Sequence, residues 1–316
     1  MINLVYCARP IYGGWVSFTA HLSLKYELPL FKIGNKTESK ARNFGYGVPY
    51  LNIDSSELKH LDGPILITAI DKNYYNHLDK FPNGTYIVIH DPTEVKIRAA
   101  EPLLKELHRF KVITIRKSVQ DFLKKTYNIQ SKYIVHPFYE YDFTKVSKPT
   151  EAVSISRIDF DKHTDIILKA NKLLKDPIDI YGSINRQYVF FSLAKLNFKK
   201  YYKGQFEKSF SELSEILKDA KFVVDMSIIK NDGGGSQYTF LEAIYQECCL
   251  IINAQWINSM ETPFKSGVNC FVVRDENDLV KVITSRTSIK DILKESKKIL
   301  IPHITVDWPK EIMVFK

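Results

Sequence analysis

Three glycines, Gly233–Gly235, and then Ser236 stand directly before an apolar helical pattern that carries one acid, Glu242. Glycines let a backbone approach a ligand closely, and the N–H groups that open a helix attract an anion. Glu242 would accept hydrogen bonds from hydroxyl groups; a plain glycine loop with a solvated Glu reads the same string. Earlier in the chain, Arg157 follows an apolar run and Lys162 opens the next amphipathic stretch. A guanidinium fork and an ammonium point charge beside a strand end suit a diphosphate. Ordinary surface charge is the commoner fate of any one Arg or Lys. His90-Asp91-Pro92 closes another apolar run. His titrates near neutrality and Asp is a ready base or charge partner; a polar strand cap is the plainer reading.

The fourth string is Arg9-Pro10-Ile11-Tyr12-Gly13-Gly14-Trp15, a glycine-rich turn after the first apolar run. It lacks Gly-x-Gly-x-x-Gly, which disfavours a dinucleotide-binding domain. Asp159-Phe160-Asp161 is an Asp-x-Asp, a spacing that can hold a divalent cation. Placed between Arg157 and Lys162, it reads instead as a helix cap and a first-turn acid. His21, His60, His77, His108 and His163 have no metal-ligand spacing, so no metal site is expected.

Short apolar runs alternate with amphipathic stretches, which predicts parallel sheets covered on both faces. Strands are expected at Asn3–Cys7, Ile65–Ile70, Tyr86–His90, Lys111–Ile115 and Lys132–Val135, with helices at Glu101–Phe110 and Ser118–Thr126. Phe138–Pro149 is polar-aromatic and aperiodic, and reads as a linker. The pattern restarts with strands at Val153–Ser156, Ile178–Tyr181, Phe222–Met226, Cys249–Asn253 and Phe271–Val273. Helices are expected at Lys162–Leu174, Phe210–Asp219, Tyr238–Gln246 and Glu276–Ser285. Ligands of open α/β sheets bind beyond the carboxyl ends of the strands, so a cleft between two such halves is the expected site.

The chain has 316 residues, 45% of them hydrophobic, which suits about two domains and excludes a disordered chain. Lys and Arg outnumber Asp and Glu by 45 to 36, a formal charge of +9 that favours an anionic partner. Cys7, Cys248, Cys249 and Cys270 form no Cys-x-x-Cys pair, which disfavours a disulfide framework and a zinc ribbon. A reducing, cytoplasmic location is expected, the host cytoplasm for a viral chain. The first residues lack a signal pattern, and no run approaches a membrane span. Lys195–Gly204 interleaves lysines and aromatics. That mixture can bind phosphates and stack bases, although an edge strand guarded by lysines explains it slightly better. A further basic run includes Lys105, Arg109, Lys111, Arg116, Lys117, Lys124 and Lys125.

Taken together, the four strings resemble the GT-B glycosyltransferases, especially the retaining nucleotide-sugar enzymes. The resemblance spans nearly the whole chain and rests on order and spacing. Within that family it looks most like the bacteriophage DNA α-glucosyltransferase branch. The residues carrying that likeness are Ala8-Arg9 before the glycine-rich turn, His90-Asp91 after a buried strand, and Tyr238-Thr-Phe-Leu-Glu242. The resemblance implies two Rossmann-like domains with parallel sheets facing a central cleft. An acceptor-side domain would occupy residues 1–140 and a nucleotide-sugar domain 141–300, with 301–316 crossing back to the first.

By the same resemblance, Gly14 would lie near the donor diphosphate and the acceptor, with Tyr12 and Trp15 binding the acceptor. His90 and Asp91 would lie at the reacting sugar, Arg157 and Lys162 would bind the diphosphate, and Glu242 would bind the ribose. The family usually carries two Glu residues separated by seven others; Gly234 stands where the earlier one would be. Backbone N–H groups of Gly234 and Gly235, with Ser236 beside them, or nearby Asp232, would take its place. The implied reaction moves a sugar from a nucleoside-diphosphate donor, a UDP-sugar, to 5-hydroxymethylcytosine in duplex DNA, by a monomer without a required cofactor. A cell-surface glycan or lipid-linked acceptor is the alternative. A non-catalytic nucleotide-sugar or nucleic-acid binding module is the third reading.

Overall fold

Buried aliphatic runs build the first sheet. Every residue of β1 (Asn3–Cys7), β4 (Ile65–Ile70) and β5 (Tyr86–Ile89) is buried, as strands sandwiched by helices require. They pair with β2 (Leu30–Ile33), β3 (Leu51–Ile53), β6 (Lys111–Thr114) and β7 (Ser131–Tyr133) in the order β3-β2-β1-β4-β5-β6-β7, every pair parallel. The structure is a computed structural model and describes residues 1–9, 13–34, 44–145, 150–206, 209–228, 235–258, 262–285 and 287–315.

The second sheet repeats the plan. β8 (Thr150–Ile155), β9 (Asp179–Tyr181), β10 (Tyr202–Gly204), β11 (Ala220–Asp225), β12 (Cys249–Asn253) and β13 (Phe271–Val273) lie in the order β10-β9-β8-β11-β12-β13, again all parallel. Both orders reverse direction beside their first strand. In doubly wound sheets this switch point is where loops part and ligands bind. The chain divides into one unit of Met1–Glu140 with His303–Lys316 and a second of Tyr141–Pro302.

Each unit has its own core. In the first, Val5, Ile67, Ile87 and Val112 pack with Leu103, Leu107, Val119 and Leu123 from the helices Glu101–Glu106 and Lys117–Tyr127 and the turn between β6 and the first of these. In the second, Val224 and Ile251 pack with Ile167, Leu168, Leu279 and Ile283. Each such side chain contributes about 1.5–3 kcal/mol on full burial. Local chemistry sets the helix ends. Asp275 accepts from the N–H groups of Asn277 and Asp278, both at 2.9 Å, and so opens Glu276–Thr284.

The structure adds to the sequence expectations at several places. The helix Gly14–Tyr26 was hidden because Ser17, Thr19, His21 and Ser23 interrupt its apolar period, yet all four are buried. Their polar groups are satisfied inside: Thr19 Oγ1 donates to Thr68 Oγ1 at 2.8 Å, and the Ser17 and Tyr46 hydroxyls meet at 3.0 Å. The stretch Phe138–Pro149, read as a linker, contains the division between the two units at Glu140 and Tyr141, and residues on both sides of that division are packed. Phe138 is fully buried, and Tyr141 stacks on Phe210 with centroids 4.2 Å apart. In Lys195–Gly204 only Tyr202–Gly204 is a strand, on the sheet edge; the preceding residues form short helical turns. β2 and β3 were also unforeseen, being short, with Lys32 in one and exposed residues in the other.

Candidate active site

In the first unit the site residues lie beyond the carboxyl ends of β1, which borders the switch point, and of β5, the strand after β4. Gly13 has φ 94° and opens the helix that begins at Gly14, a backbone angle that a side chain would strain. The next residue, Trp15, is half-buried, and its indole N–H donates to Glu94 Oε1 at 2.9 Å. Glu94 lies in the short helix Thr93–Lys96 that follows His90-Asp91-Pro92. Its other oxygen accepts from the backbone N–H of His90 at 3.3 Å. Burial pushes the Glu94 carboxyl up to about 8, and the Asp91 charge adds to the rise.

His90 sits just beyond β5, buried edge-on against Phe18 with centroids 4.8 Å apart. Its Nε2 lies 2.7 Å from the Thr68 carbonyl oxygen. A carbonyl only accepts, so Nε2 carries the hydrogen. Burial lowers the imidazole to about 4. This corrects the expectation of a histidine titrating near neutrality: His90 is a fixed neutral ring. Asp91 is held by structure. Its Oδ1 accepts from the Thr93 N–H at 2.8 Å, and its Oδ2 lies 3.5 Å from the Arg116 guanidinium.

In the second unit, Arg157 follows β8 and is about half exposed, 49%. It forks onto Asp159 at 3.1 Å and Asp161 at 3.3 Å. Those two carboxylates are therefore engaged by Arg157, and Asp159 also accepts from the Phe160 N–H and from Asn185 Nδ2, both at 2.8 Å. Among the described residues no three His, Cys, Asp or Glu side chains gather where an ion could be held.

Lys162 differs from Arg157 in its surroundings. It is buried, and its ammonium donates to Ser227 Oγ at 2.6 Å and to Gln237 Oε1 at 3.2 Å. Both partners are neutral, and among the described residues no carboxylate pairs with it. Ser227 is fixed in turn by its N–H donating to Asp225 Oδ1 at 2.8 Å. Asp225 Oδ2 and Gln237 Nε2 are buried with no protein partner among the described residues. All of these groups stand at the carboxyl ends of β8 and β11, the reversal point of the second sheet.

Gln237 precedes the helix Tyr238–Tyr245, with Ser236 buried beside it and Gly235 accepting from Trp256 Nε1 at 3.1 Å. Glu242, on that helix, is only 2% exposed and accepts from the Tyr141 hydroxyl, to which Gln246 Nε2 also donates at 3.3 Å. A ribose reaching Glu242 would have to displace or share that phenol. Tyr12, Asp232 and Gly234 lie outside the described residues.

Thus the structure brings Gly14, Trp15, His90 and Asp91 into one unit, and Arg157, Lys162, Gly235, Ser236 and Glu242 into the other. Glu94, Gln237, Ser227, Asp225 and Tyr141 were not foreseen. Glu94 had a signal, an acid three residues after Asp91, but first-turn acids of helices are common on dipole grounds alone.

No protein-family model matches the sequence. No curated protein matches it either. Solved structures do match. An alpha-glucosyltransferase in complex with UDP and a 13-mer DNA containing an HMU base has 13% identity and a TM-score of 0.72, covering 100% of this chain and 99% of that one. Anabaena HepE in complex with UDP-glucose has 11% identity and a TM-score of 0.70, covering 98% of both chains. A glycosyltransferase from Rickettsia africae has 13% identity and a TM-score of 0.63, covering 100% of this chain and 97% of that one. With its two parallel, doubly wound sheets, the chain has the GT-B α/β fold.

Proposed function

We propose that the chain is a glycosyltransferase that takes a sugar from a UDP-sugar, with 5-hydroxymethylcytosine in duplex DNA as acceptor. One observation carries the donor reading: among the described residues the buried Lys162 ammonium meets neutral oxygens and no carboxylate. A buried charge without a counter-ion is costly, and a diphosphate at this strand end supplies the missing negative charge. UDP or UDP-glucose in the similar structures supports the same donor.

The chemistry follows from charge. As the glycosidic bond to the donor breaks, negative charge builds on the diphosphate. Lys162 is already oriented by Ser227 and Gln237, so it stabilises that charge with little reorganisation. Arg157 adds a second cation by exchanging Asp159 and Asp161 for phosphate oxygens. The acceptor hydroxyl attacks from the leaving-group face, and the departing phosphate oxygen takes its proton. The neutral His90 ring, pinned through Nε2, orients sugar or acceptor rather than carrying protons. Asp91 as a base belongs to an inverting variant of the reaction, in which it must leave the Thr93 N–H and Arg116. In this reading Gly14 serves the donor and Trp15 the acceptor, and Tyr12, outside the described residues, is assigned to the acceptor from the sequence alone. Among the described residues, Gly235 and Ser236 offer the donor sugar their N–H groups, the role the sequence also gives to Gly234, and Glu242 takes the ribose once Tyr141 shares it.

The DNA acceptor rests on the net charge of +9 and on a similar structure that holds DNA. A target base in a duplex must be turned out of the stack to be reached. Among the described residues no helix is long and apolar enough to cross a membrane. The test is a panel of nucleoside-diphosphate sugars against hydroxymethylated duplex, unmodified duplex and glycan acceptors, with products weighed by mass spectrometry. Sugar on the hydroxymethylated duplex alone is expected; transfer to a glycan with none to DNA would overturn the acceptor.

A further inference from the structure

Residues 184–204 contain Arg186, Lys195, Lys199, Lys200 and Lys203 and no acid. Lys203 is neutralised by Asp179 at 3.2 Å. Among the described residues, the other four cations have no carboxylate within ion-pair distance. The segment packs inward through Tyr188, Leu193, Phe198 and Tyr201, which belong to the core of the second unit. Phe190 and Phe191 point the other way, 72% and 74% exposed, more than any other described phenylalanine. Their rings stand at 83° to each other, centroids 5.1 Å apart.

This surface begins at the candidate diphosphate loop. The Asn185 side chain is tied to Asp159 at 2.8 Å, and the Tyr188 ring packs on Phe160 at 5.0 Å. Phe160, between Arg157 and Lys162, is itself half exposed. The segment that starts beside the Arg157–Lys162 loop, at Asn185 and Tyr188, therefore carries two exposed rings, Phe190 and Phe191, together with four cations that meet no carboxylate among the described residues.

We propose that Phe190 and Phe191, with Arg186, Lys195, Lys199 and Lys200, form a docking surface for a nucleic-acid strand. Phosphates would meet the cations and a base would stack on the open ring faces, the pairing that strand-binding surfaces use. The inference rests on the proposed DNA acceptor and adds where on the second unit that acceptor is held. An anionic membrane would also meet aromatics and lysines, but it needs a continuous apolar face. Here the exposed neighbours are mostly polar: Arg186, Gln187, Ser192, Lys195, Asn197 and Lys199.

The test is fluorescence anisotropy of a labelled hydroxymethylated duplex, and of its single strand, with the full chain. The variants are F190A/F191A and K195E/K199E. Both sites are exposed, so the melting temperature and UDP affinity should match the unsubstituted protein. Losing the rings should weaken binding about tenfold, the worth of one stacked base. Removing the lysines should weaken binding and flatten its salt dependence. Unchanged affinity in both variants would overturn the surface. So would unchanged duplex binding together with loss of sedimentation on phosphatidylglycerol vesicles, which would assign the patch to a membrane. If F190A/F191A glucosylates hydroxymethylated DNA at unreduced affinity, the surface fails and the enzyme reading stands. If the rings govern DNA binding but no donor yields transfer, the surface stands and the enzyme reading fails.

Discussion

The indole N–H of Trp15 donates to Oε1 of Glu94 at 2.9 Å, across 79 residues of sequence. One carboxyl thereby joins the glycine-rich turn after β1 to the His90 backbone after β5. Two strings that looked independent in sequence are one construction.

That construction has a pH signature. The Glu94 carboxyl is raised from 4.5 to about 8 by burial, so the folded chain holds its proton more tightly than the unfolded chain does. The stability linked to this group is full below 4.5 and declines as pH rises from 4.5 to about 8. Facing it are Trp15, His90, Asp91 and Arg116, with Tyr75 near enough to be raised by its charge. Glu94→Gln keeps an acceptor for Trp15 without a buried charge. Its melting temperature should exceed that of the unsubstituted protein at pH 8, and the difference should shrink toward pH 4.5. A difference that does not change with pH would contradict the raised value.

Histidines in the same unit act in the opposite direction. Burial lowers His90 and His303 to about 4 and lowers His136 well below its ordinary value, helped at His136 by the neighbouring His303 and Arg116. Depressed values mean the unfolded chain binds these protons first. Stability linked to the three is full above 6.5 and falls as pH drops from 6.5 toward 4. His303 Nδ1 lies 2.9 Å from the His136 carbonyl oxygen, so His303→Asn should keep a donor there and flatten the acid side of a melting-temperature profile. A profile equal to that of the unsubstituted protein would contradict this.

Lys162→Met separates binding from stability. The ammonium is buried on two neutral oxygens, so an apolar replacement should leave the melting temperature unchanged or higher. Lost charge-assisted bonds, about 1.5–3 kcal/mol, should weaken UDP about tenfold to a hundredfold in calorimetric titration. Arg157→Ala, on an exposed ion pair, should also weaken UDP with little effect on stability. Unaltered UDP affinity in both variants would remove the diphosphate assignment.

Gly182→Ala tests the backbone around the same loop. Gly182 has φ 144°, and a Cβ there would meet the Ser156 carbonyl oxygen at 2.0 Å. The substitution should cost about 3 kcal/mol or more, read as a shifted denaturant midpoint. A shift of a few tenths would show that β8 and β9 are less closely joined than described.

The buried strands were readable because continuous runs such as Ile65–Ile70 leave no other element that fits both covered faces. The helix Gly14–Tyr26 was not, because its buried hydroxyls and His21 find partners only in the folded unit. Lys162 was readable as a cation at a strand end. Its neutral surroundings were not, since Ser227 and Gln237 come from distant segments. Glu94 and Tyr141 show the same limit: each looks solvated in sequence, and each is given its role by a partner about 80 to 100 residues away.

The most direct test of the account measures UDP released from UDP-glucose, or from the sugar nucleotide the donor panel selects. Hydroxymethylated duplex is compared with the same duplex unmodified, for the unsubstituted chain and for Lys162→Met. Release should depend on the hydroxymethyl group and be lost in Lys162→Met. Release at equal rates with either duplex, or with Lys162→Met fully active, would contradict it.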